Sequence, residues 1–382
     1  MAGIGLILLY VAGILLPVIL AVVFGPSAGS FTESLALHLA LVGFVLLGFQ
    51  FVLAARVKWM ERPFGLDIVI RFHQHMAGLA GLLLLAHPLL LAAGDHGWAL
   101  IVGLDVPWPI WLGRAAVLLL ILSIFVSKFQ SSLGLSFESW RLGHDLLSPT
   151  ILTAAFLHSW MVGDDLQHAA LRALWIAIFA TAVLLLLYHR VIRPRRLARK
   201  TYRVTSVHPE AEDVWTLDFQ PPEGGQIPPY HPGQFHFVTL IRGRGFPTEE
   251  HHWTISSSPT QKGKLSSTIK ALGDFTATVG ETRVGDRAAV HGAFGRFSHT
   301  LHPEERDLVF VAGGIGITPL MSMLRYLRDT KDDRTVLLIY GNVTEDSIVF
   351  RDELADIEAG DHPRLRVVHV LSDPSPEWQG ET

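Results

Sequence analysis

RFHQHMAGLAGLLLLAHP, from Arg71 to Pro88, sets two histidines inside an apolar run long enough to cross a bilayer. His73 and His87 are 14 residues apart. At about 100° and 1.5 Å per residue, that spacing returns to one helix face to within roughly 40°, about 21 Å farther along the axis. His144 and His158 repeat the spacing in a second apolar stretch. Between the histidines the shared face carries Ala77, Ala80 and Leu84 in the first stretch and Ser148, Ile151 and Ala155 in the second. These are mostly small side chains, which leave room for a flat macrocycle. Two parallel helices of this kind clamp two stacked irons, with His73 and His144 on the inner one and His87 and His158 on the outer one. The pattern implies a path for electrons across a membrane.

The rest of the chain supplies the setting. Of 382 residues, 49% are hydrophobic and 17% charged, and the apolar excess lies in the first half, so two different solvents are implied. Six spans are predicted: Ile4 to Phe24, Ser34 to Ala55, Leu66 to Ala93, Pro109 to Phe129, Phe137 to Val162 and Leu171 to Val191. Cysteine is absent, which removes iron-sulfur clusters, thiolate haem ligands and disulfides. A net charge of -4 without a long basic patch argues against nucleic-acid binding. Basic residues gather at Arg56 to Arg71, at Lys128 and Arg141, and from Arg190 to Lys200, while the alternate connections hold none. The positive-inside rule then places both termini in the cytoplasm and makes the third and fifth spans parallel.

Other histidines receive plainer readings. His75 stands 12 residues before His87, about 120° around the helix, and nothing in the fifth span answers it. His38, His96, His168 and His189 lie near span ends. Pro149 falls between His144 and His158 and is expected to bend that helix. A metal-transport path is the competing reading; it wants carboxylates or thioethers beside the ligands, and only Met76 and Asp145 fall between the paired histidines.

After Lys200 the pattern changes to short alternating strands. TYRVTSV, DVWTLDFQ, QFHFVTLI and EHHWTISSSP read as an antiparallel barrel. KLSSTIKALGDFTATVG then reads as a strand ending at Ile269 and Lys270 that turns at Gly273 into a short helix, a place where backbone N–H groups and a lysine suit a pyrophosphate. From Arg306, DLVFVAGGIGITPLMSMLRYLRD reads as a buried strand, a glycine turn and an amphipathic helix, followed by the strand TVLLIYGN. Gly313, Gly314 and Gly316 let the backbone approach a dinucleotide, and Thr318 with Pro319 opens the helix. The loop after Gly341 and Asn342 carries Glu345 and Asp346 and no cation before Arg351. That predicts NADH at least as good a donor as NADPH, unless Arg325 or Arg328 reaches the site.

Five segments in this order resemble the transmembrane NADPH oxidase and ferric reductase superfamily: SFESWRLGH, HHWTISS, IKALGDFT, HGAFG and AGGIGITP. The resemblance implies a membrane α-helical bundle of six transmembrane helices holding two haems over residues 1–200. A ferredoxin-reductase-type module follows, with an antiparallel β-barrel FAD domain over 201–302 and an α/β nucleotide-binding domain over 303–382. It implies the axial-ligand role for His73, His87, His144 and His158. For FAD it implies Trp253 and Thr254 beside the isoalloxazine, His251 toward the phosphates, and His252, Ser256 and Ser257 in the same motif. Ile269, Lys270, Gly273, Phe275 and Thr276 form the FAD pyrophosphate segment. For NAD(P)H it implies Gly292 and Phe294 on the nicotinamide side, with Gly313, Gly314, Gly316, Thr318, Pro319, Gly341 and Asn342 around the nucleotide. No side chain is expected as acid, base or nucleophile.

The family's terminal Cys-Gly-Pro segment is not found, and the α/β domain is expected to be incomplete at its C-terminus. The implied cofactors are two haem b, FAD and NAD(P)H as donor, and the implied partners are the lipid bilayer and an outer acceptor, with no obligatory protein partner. The expected setting is a bacterial plasma membrane. Oxygen, giving superoxide, would use Arg114, Arg172 or His38; a ferric or cupric chelate would use Glu33, Asp95, Asp105, Asp164 or Asp165. A haem subunit that only docks a separate reductase is the non-enzymatic alternative.

Overall fold

The computed structural model describes residues 2–25, 29–94 and 96–382, so Asp95 lies outside the described residues. Contacts divide the chain into two compact units, Met1–Ile192 and Arg193–Thr382.

The first unit is helical: α1 (Ala2–Phe24), α2 (Phe31–Ala54), α3 (Lys58–Phe64), α4 (Leu66–Ala93), α5 (Ala99–Val102), α6 (Trp108–Lys128), α7 (Phe137–Val162) and α8 (Ala169–Leu187). Local chemistry sets several starts. Ser30 accepts from the Glu33 N–H at the head of α2, and Ser136 accepts from the Ser139 N–H at the head of α7. Gly65, with φ 89°, makes the turn from α3 into α4, a conformation in which a Cβ is costly.

Among the described residues five helices are long and apolar enough to cross a membrane, where six were expected. The exception is α7. Its 26 residues suffice in length, but Glu138, Arg141, His144 and Asp145 crowd its first half and lower its hydropathy. That polarity is partnered: Asp145 pairs with Arg190 and, at 4.0 Å, with Arg141. Pro149 does not interrupt α7; the Ser148 hydroxyl donates to the His144 carbonyl at 2.7 Å beside it.

Phe44, Val45, Ile151, Leu152 and Trp175 form the centre of the bundle core. Trp175 stacks on Phe44 at 4.7 Å and donates its indole N–H to Ser159 Oγ at 2.9 Å. Leu8, Leu82, Leu118 and Leu184 face outward, as expected for helices whose solvent is hydrocarbon.

In the second unit α9 (Arg193–Arg199) leads into strands β1 (Tyr202–Ala211), β2 (Val214–Gln220), β3 (Phe235–Ile241), β4 (Glu250–Thr254), β5 (Leu265–Lys270) and β6 (Arg287–Phe294). They form an antiparallel sheet in the order β4-β3-β6-β1-β2-β5. Its edges meet where the Ser256 N–H donates to the Ser266 carbonyl at 2.8 Å, which closes the expected barrel around Leu217, Phe219, Val238 and Leu240. His236 is fully buried there with Nε2 2.6 Å from Ser267 Oγ. Burial pushes its pKa down to about 3, so it is a neutral core residue.

The short helix α10 (Asp274–Ala277) follows β5. A three-stranded parallel sheet then runs β7 (Asp307–Gly313), β8 (Thr335–Asn342) and β9 (Arg364–Leu371), joined by α11 (Ile317–Thr330) and α12 (Arg351–Glu358). The first of these strands was expected to be buried throughout. Instead Phe310 and Ala312 enter the core while Val309 and Val311 are exposed, because the described residues cover one face only.

Candidate cofactor sites

The four paired histidines come together two by two. The His73 and His144 rings have centroids 6.3 Å apart. Two imidazoles bonded end-on to one metal at about 2 Å each have ring centres roughly 6 Å apart, so this pair already stands at a ligating separation. His87 and His158 lie within electrostatic reach of each other, and each is pinned from behind. His87 Nδ1 donates to the Ala36 carbonyl at 3.0 Å, and His158 Nδ1 donates to the Pro109 carbonyl at 2.8 Å. A proton on Nδ1 leaves the Nε2 lone pair free for a metal. His75, the unmatched neighbour, is exposed and bonds the Arg71 carbonyl of its own helix. Among the described residues no group of three or more His, Asp or Glu could hold a metal ion.

Strand β4 sorts its motif by alternation. His251 and Trp253 share one face, stacked within 8° at 5.8 Å, and Phe275 packs on His251 at 4.1 Å. His252 points the other way, toward Phe235 and Phe237. Thr254 pairs with Phe235 across the sheet. Ser256 and Ser257 are fully buried: Ser256 Oγ accepts from Thr268, and Ser257 Oγ accepts from the Ser266 N–H and lies 3.1 Å from the Tyr230 hydroxyl. Burial pushes the Tyr230 phenol up to about 12, so it stays protonated. Ile269 and Phe275 belong to the barrel core. At the turn, Thr276 Oγ1 accepts from the Leu272 and Gly273 N–H groups at 2.9 Å each.

A cavity of about 380 Å³ opens at the carboxyl ends of the parallel strands. It gathers four of the predicted nucleotide residues, Gly313, Gly314, Gly341 and Asn342. Lys270, expected at the FAD pyrophosphate, also lines this cavity, because β5 ends beside it. The Asn342 amide is buried at the cavity wall beside the Tyr340 hydroxyl, a polar group suited to a ligand's polar edge. The remaining predicted residues lie elsewhere. Gly316 and Thr318 form the start of α11, where Thr318 Oγ1 donates to the Ile315 carbonyl, and Pro319 follows within that helix. Gly292 packs on His236 in the barrel wall, and Phe294 is fully buried among Phe235, Phe237 and His291. Neither of these last two lines the cavity, since the sheet turns them inward.

Residues 39–155 match the family described as "Ferric reductase like transmembrane component", and residues 310–382 match "Oxidoreductase NAD-binding domain". The chain matches the ferric reductase and NADPH oxidase-like superfamily. Among curated relatives, NADH-cytochrome b5 reductase 1 of Lodderomyces elongisporus is 36% identical over 131 residues, 33% of this chain and 43% of that protein. Stachydrine N-demethylase reductase subunit Stc4 of Rhizobium meliloti is 33% identical over 178 residues, 45% of this chain and 49% of that protein. The chain thus spans less than half the length of these relatives. A solved FAD/NAD binding domain of nitric oxide dioxygenase from Vibrio cholerae aligns at 21% identity and a TM-score of 0.43, covering 48% of this chain and 79% of that one.

The ferric-reductase-like match contains His73, His87 and His144 but ends before His158; the 14-residue repeat and the Pro109 contact bring His158 in. The residues that hold the outer rings were not foreseen, since two of the contacts are backbone carbonyls and carry no sequence signal. Gly113 was also missed. A Cβ built there would stand 2.7 Å from the His158 ring, so only glycine lets α6 pass. Gly113→Val is expected to displace the His158 ring and, if the pairs hold haem as the sequence leads one to expect, to weaken its retention at the outer pair by about tenfold or more while the inner pair stays loaded. Haem stoichiometry measured on the purified variant checks this; two haems retained would show that the ring moves aside freely.

Proposed function

We propose that this chain is a transmembrane NAD(P)H-dependent flavin oxidoreductase, fed by NADH on the cytoplasmic side and reducing oxygen to superoxide at the outer face. The observation that carries the reading is the outer pair, His87 and His158, each held through Nδ1 by a carbonyl from a neighbouring helix, an arrangement that serves to present Nε2 to a metal. When bound, FAD takes a hydride and releases electrons singly, and haem b carries single electrons. Were a haem bound at each pair, His73 with His144 and His87 with His158 would hold it, and an acceptor would be reduced without binding the metal. His251, Trp253 and Thr254 offer the flavin an aromatic and hydroxyl-bearing strand. Lys270 brings positive charge to the cavity, and the Asn342 amide offers a donor and an acceptor there.

The connections after α4 and α7 favour a second acceptor. Arg114 donates to the carbonyls of Ala99, Leu100 and Gly103, and Arg172 to the Leu166 carbonyl and Gln167. Both guanidiniums are engaged in loop structure, and His38 stands beside Asp165. The cation that oxygen reduction would use is thus committed elsewhere; of the carboxylates, Glu33 accepts from the Gly29 N–H and faces His96 at 3.6 Å, which leaves Asp105 and Asp164 for a cationic metal.

Arg325 and Arg328 are bound to Glu353, and Glu345 accepts from Ser375 Oγ. With both arginines committed and Glu345 and Asp346 in the loop after Asn342, the expected donor is NADH, Lys270 being the one cation among the cavity's lining residues. A reduced-minus-oxidised spectrum of the protein with FAD and NADH should show low-spin b haem, with superoxide and ferrous iron assayed in parallel. Failure to reduce any haem would overturn the reading. A kcat/KM for NADPH more than tenfold above that for NADH, about 1.4 kcal/mol, would overturn the nucleotide assignment.

A further inference from the structure

Two segments line the cavity at the carboxyl ends of the parallel strands: Gly313, Gly314 and Ile315 at the end of β7, and Gly341, Asn342, Ser347 and Val349 at the end of β8 and beyond it. The first has little of its own to hold it. A Cβ built on Gly313, Gly314 or Gly316 would meet nothing within 4 Å, so the turn faces open space, and glycine backbone has more conformations to lose than any other. A turn of this kind keeps one shape only if something behind it holds on.

Tyr340 does so from inside the core. Its side chain on β8 is fully buried, and its hydroxyl donates to the Gly314 carbonyl at 3.2 Å and accepts from the Val349 N–H at 3.3 Å. The Asn342 amide stands beside the same hydroxyl. A phenol has one proton to give and two lone pairs, so a single oxygen joins cavity-lining residues of both segments. Burial pushes its pKa up to about 12, which keeps the proton in place for Gly314. The Gly314 carbonyl also accepts from the Ile317 N–H, where α11 begins. In a trans peptide the carbonyl and the following N–H point opposite ways. The bond from Tyr340 therefore turns the Ile315 N–H away from the phenol.

We propose that Tyr340 is the positioning residue of the nucleotide cavity: its hydroxyl, behind the wall, fastens the Gly314 peptide of the glycine turn to Val349 of the next loop and holds the two at the spacing a nucleotide requires. The inference rests on the NAD(P)H reading of the cavity. Tyr340 itself does not line the cavity, so its loss should weaken binding and spare hydride transfer. Phenylalanine keeps the ring and removes only the oxygen, which leaves the Gly314 carbonyl and the Val349 N–H without the bonds that set their geometry.

The test compares wild type with Tyr340→Phe as the full chain loaded with FAD, by equilibrium binding of ADP-ribose and by NADH kinetics with ferricyanide as acceptor. The variant is expected to raise the Kd for ADP-ribose and the KM for NADH about tenfold, with kcat within about twofold and flavin content unchanged. Simple destabilisation would instead lower the melting temperature and the flavin content and leave the Kd of the folded fraction alone. If wild type binds ADP-ribose and the variant binds it equally well, Tyr340 does not position the site. If wild type binds neither ADP-ribose nor NADH, the nucleotide reading fails and takes this inference with it. Should Tyr340→Phe not accumulate, amide hydrogen exchange on the wild type decides. ADP-ribose should slow exchange at Ile315 and Val349 together, and slowing in one segment alone would show that the phenol does not link them.

Discussion

His87→Ala is expected to leave one low-spin haem per chain, whereas His75→Ala keeps two. The contrast is a sharp one because the two residues lie on the same helix, 12 positions apart, and share charge, size and composition. They differ in what stands around them. His87 is half-buried and anchored on another helix by the Ala36 carbonyl, while His75 is exposed and bonds only its own helix. Loss of an axial ligand removes the low-spin signature of that site, so the haem absorbance should fall to about one-half. Reduction of the flavin by NADH should be unchanged, because the barrel and the parallel sheet have cores of their own. Electron delivery to an added acceptor should drop by about 100-fold or more. Pyridine haemochrome content and stopped-flow flavin reduction measure the two arms. A protein that lost a haem with His75→Ala and kept both with His87→Ala would reverse the face assignment.

Arg325→Met is expected to destabilise the second unit by about 2–3 kcal/mol, since it breaks a largely buried ion pair and leaves polar groups behind. Arg325 on α11 donates to both carboxylate oxygens of Glu353 on α12, at 2.9 and 2.5 Å, and to the Ser256 carbonyl at 2.7 Å. Its guanidinium also lies over the Phe350 ring at 4.8 Å. Glu353 keeps one contact without it, to Arg328 at 3.2 Å, which is why the expected loss stays below the full cost of an isolated buried charge. For a unit of this size the melting transition should fall by roughly 5–10 °C. The effect depends on pH in a definite direction. Burial alone would raise the Glu353 pKa, but the Arg325 hydrogen bond and the charges of Arg325 and Arg328 outweigh it and hold it below the ordinary 4.5. A depressed folded-state value contributes stability that is fully present above pH 4.5 and is lost as pH falls through the lower folded value. The gap between wild type and variant should therefore narrow below pH 4.5. A double replacement of Arg325 and Glu353 by methionine, which removes both charges, should cost less than the single one. Thermal unfolding of the full chain across pH decides it, and a gap that widened on acidification would show that the pair is not the source.

How much was legible before the structure depended on how local the signal was. The matched pairs His73 with His144 and His87 with His158 were readable because helix pitch is a property of the backbone, so a 14-residue spacing fixes a common face wherever the helix sits. The strand-turn-helix at Gly313 to Pro319 was readable for the same reason. The span count was less so. The helix bearing His144 reads as a span only by its length, since Arg141 and Asp145 lower its hydropathy and are answered partly by Arg190, a residue far along the chain. That Lys270 lines the cavity at the ends of the parallel strands was not legible, because a strand's sequence shows where it ends but not which cavity its end reaches.

From the order of residues alone came the pairing of the histidines, the change from helical to strand periodicity after Lys200 and the acidic loop that follows Asn342. These are set by pitch, pleat and local charge, all short-range along the chain. Tertiary structure decided what stands behind each paired histidine: the carbonyls of Ala36 and Pro109, the glycine at 113 and the main chain of Gln50. It also decided that Arg114, Arg172 and Arg325 are committed to structural partners. Such contacts arise from the register between helices distant in sequence, and a register is set by the packing of whole faces, which no single stretch of residues specifies.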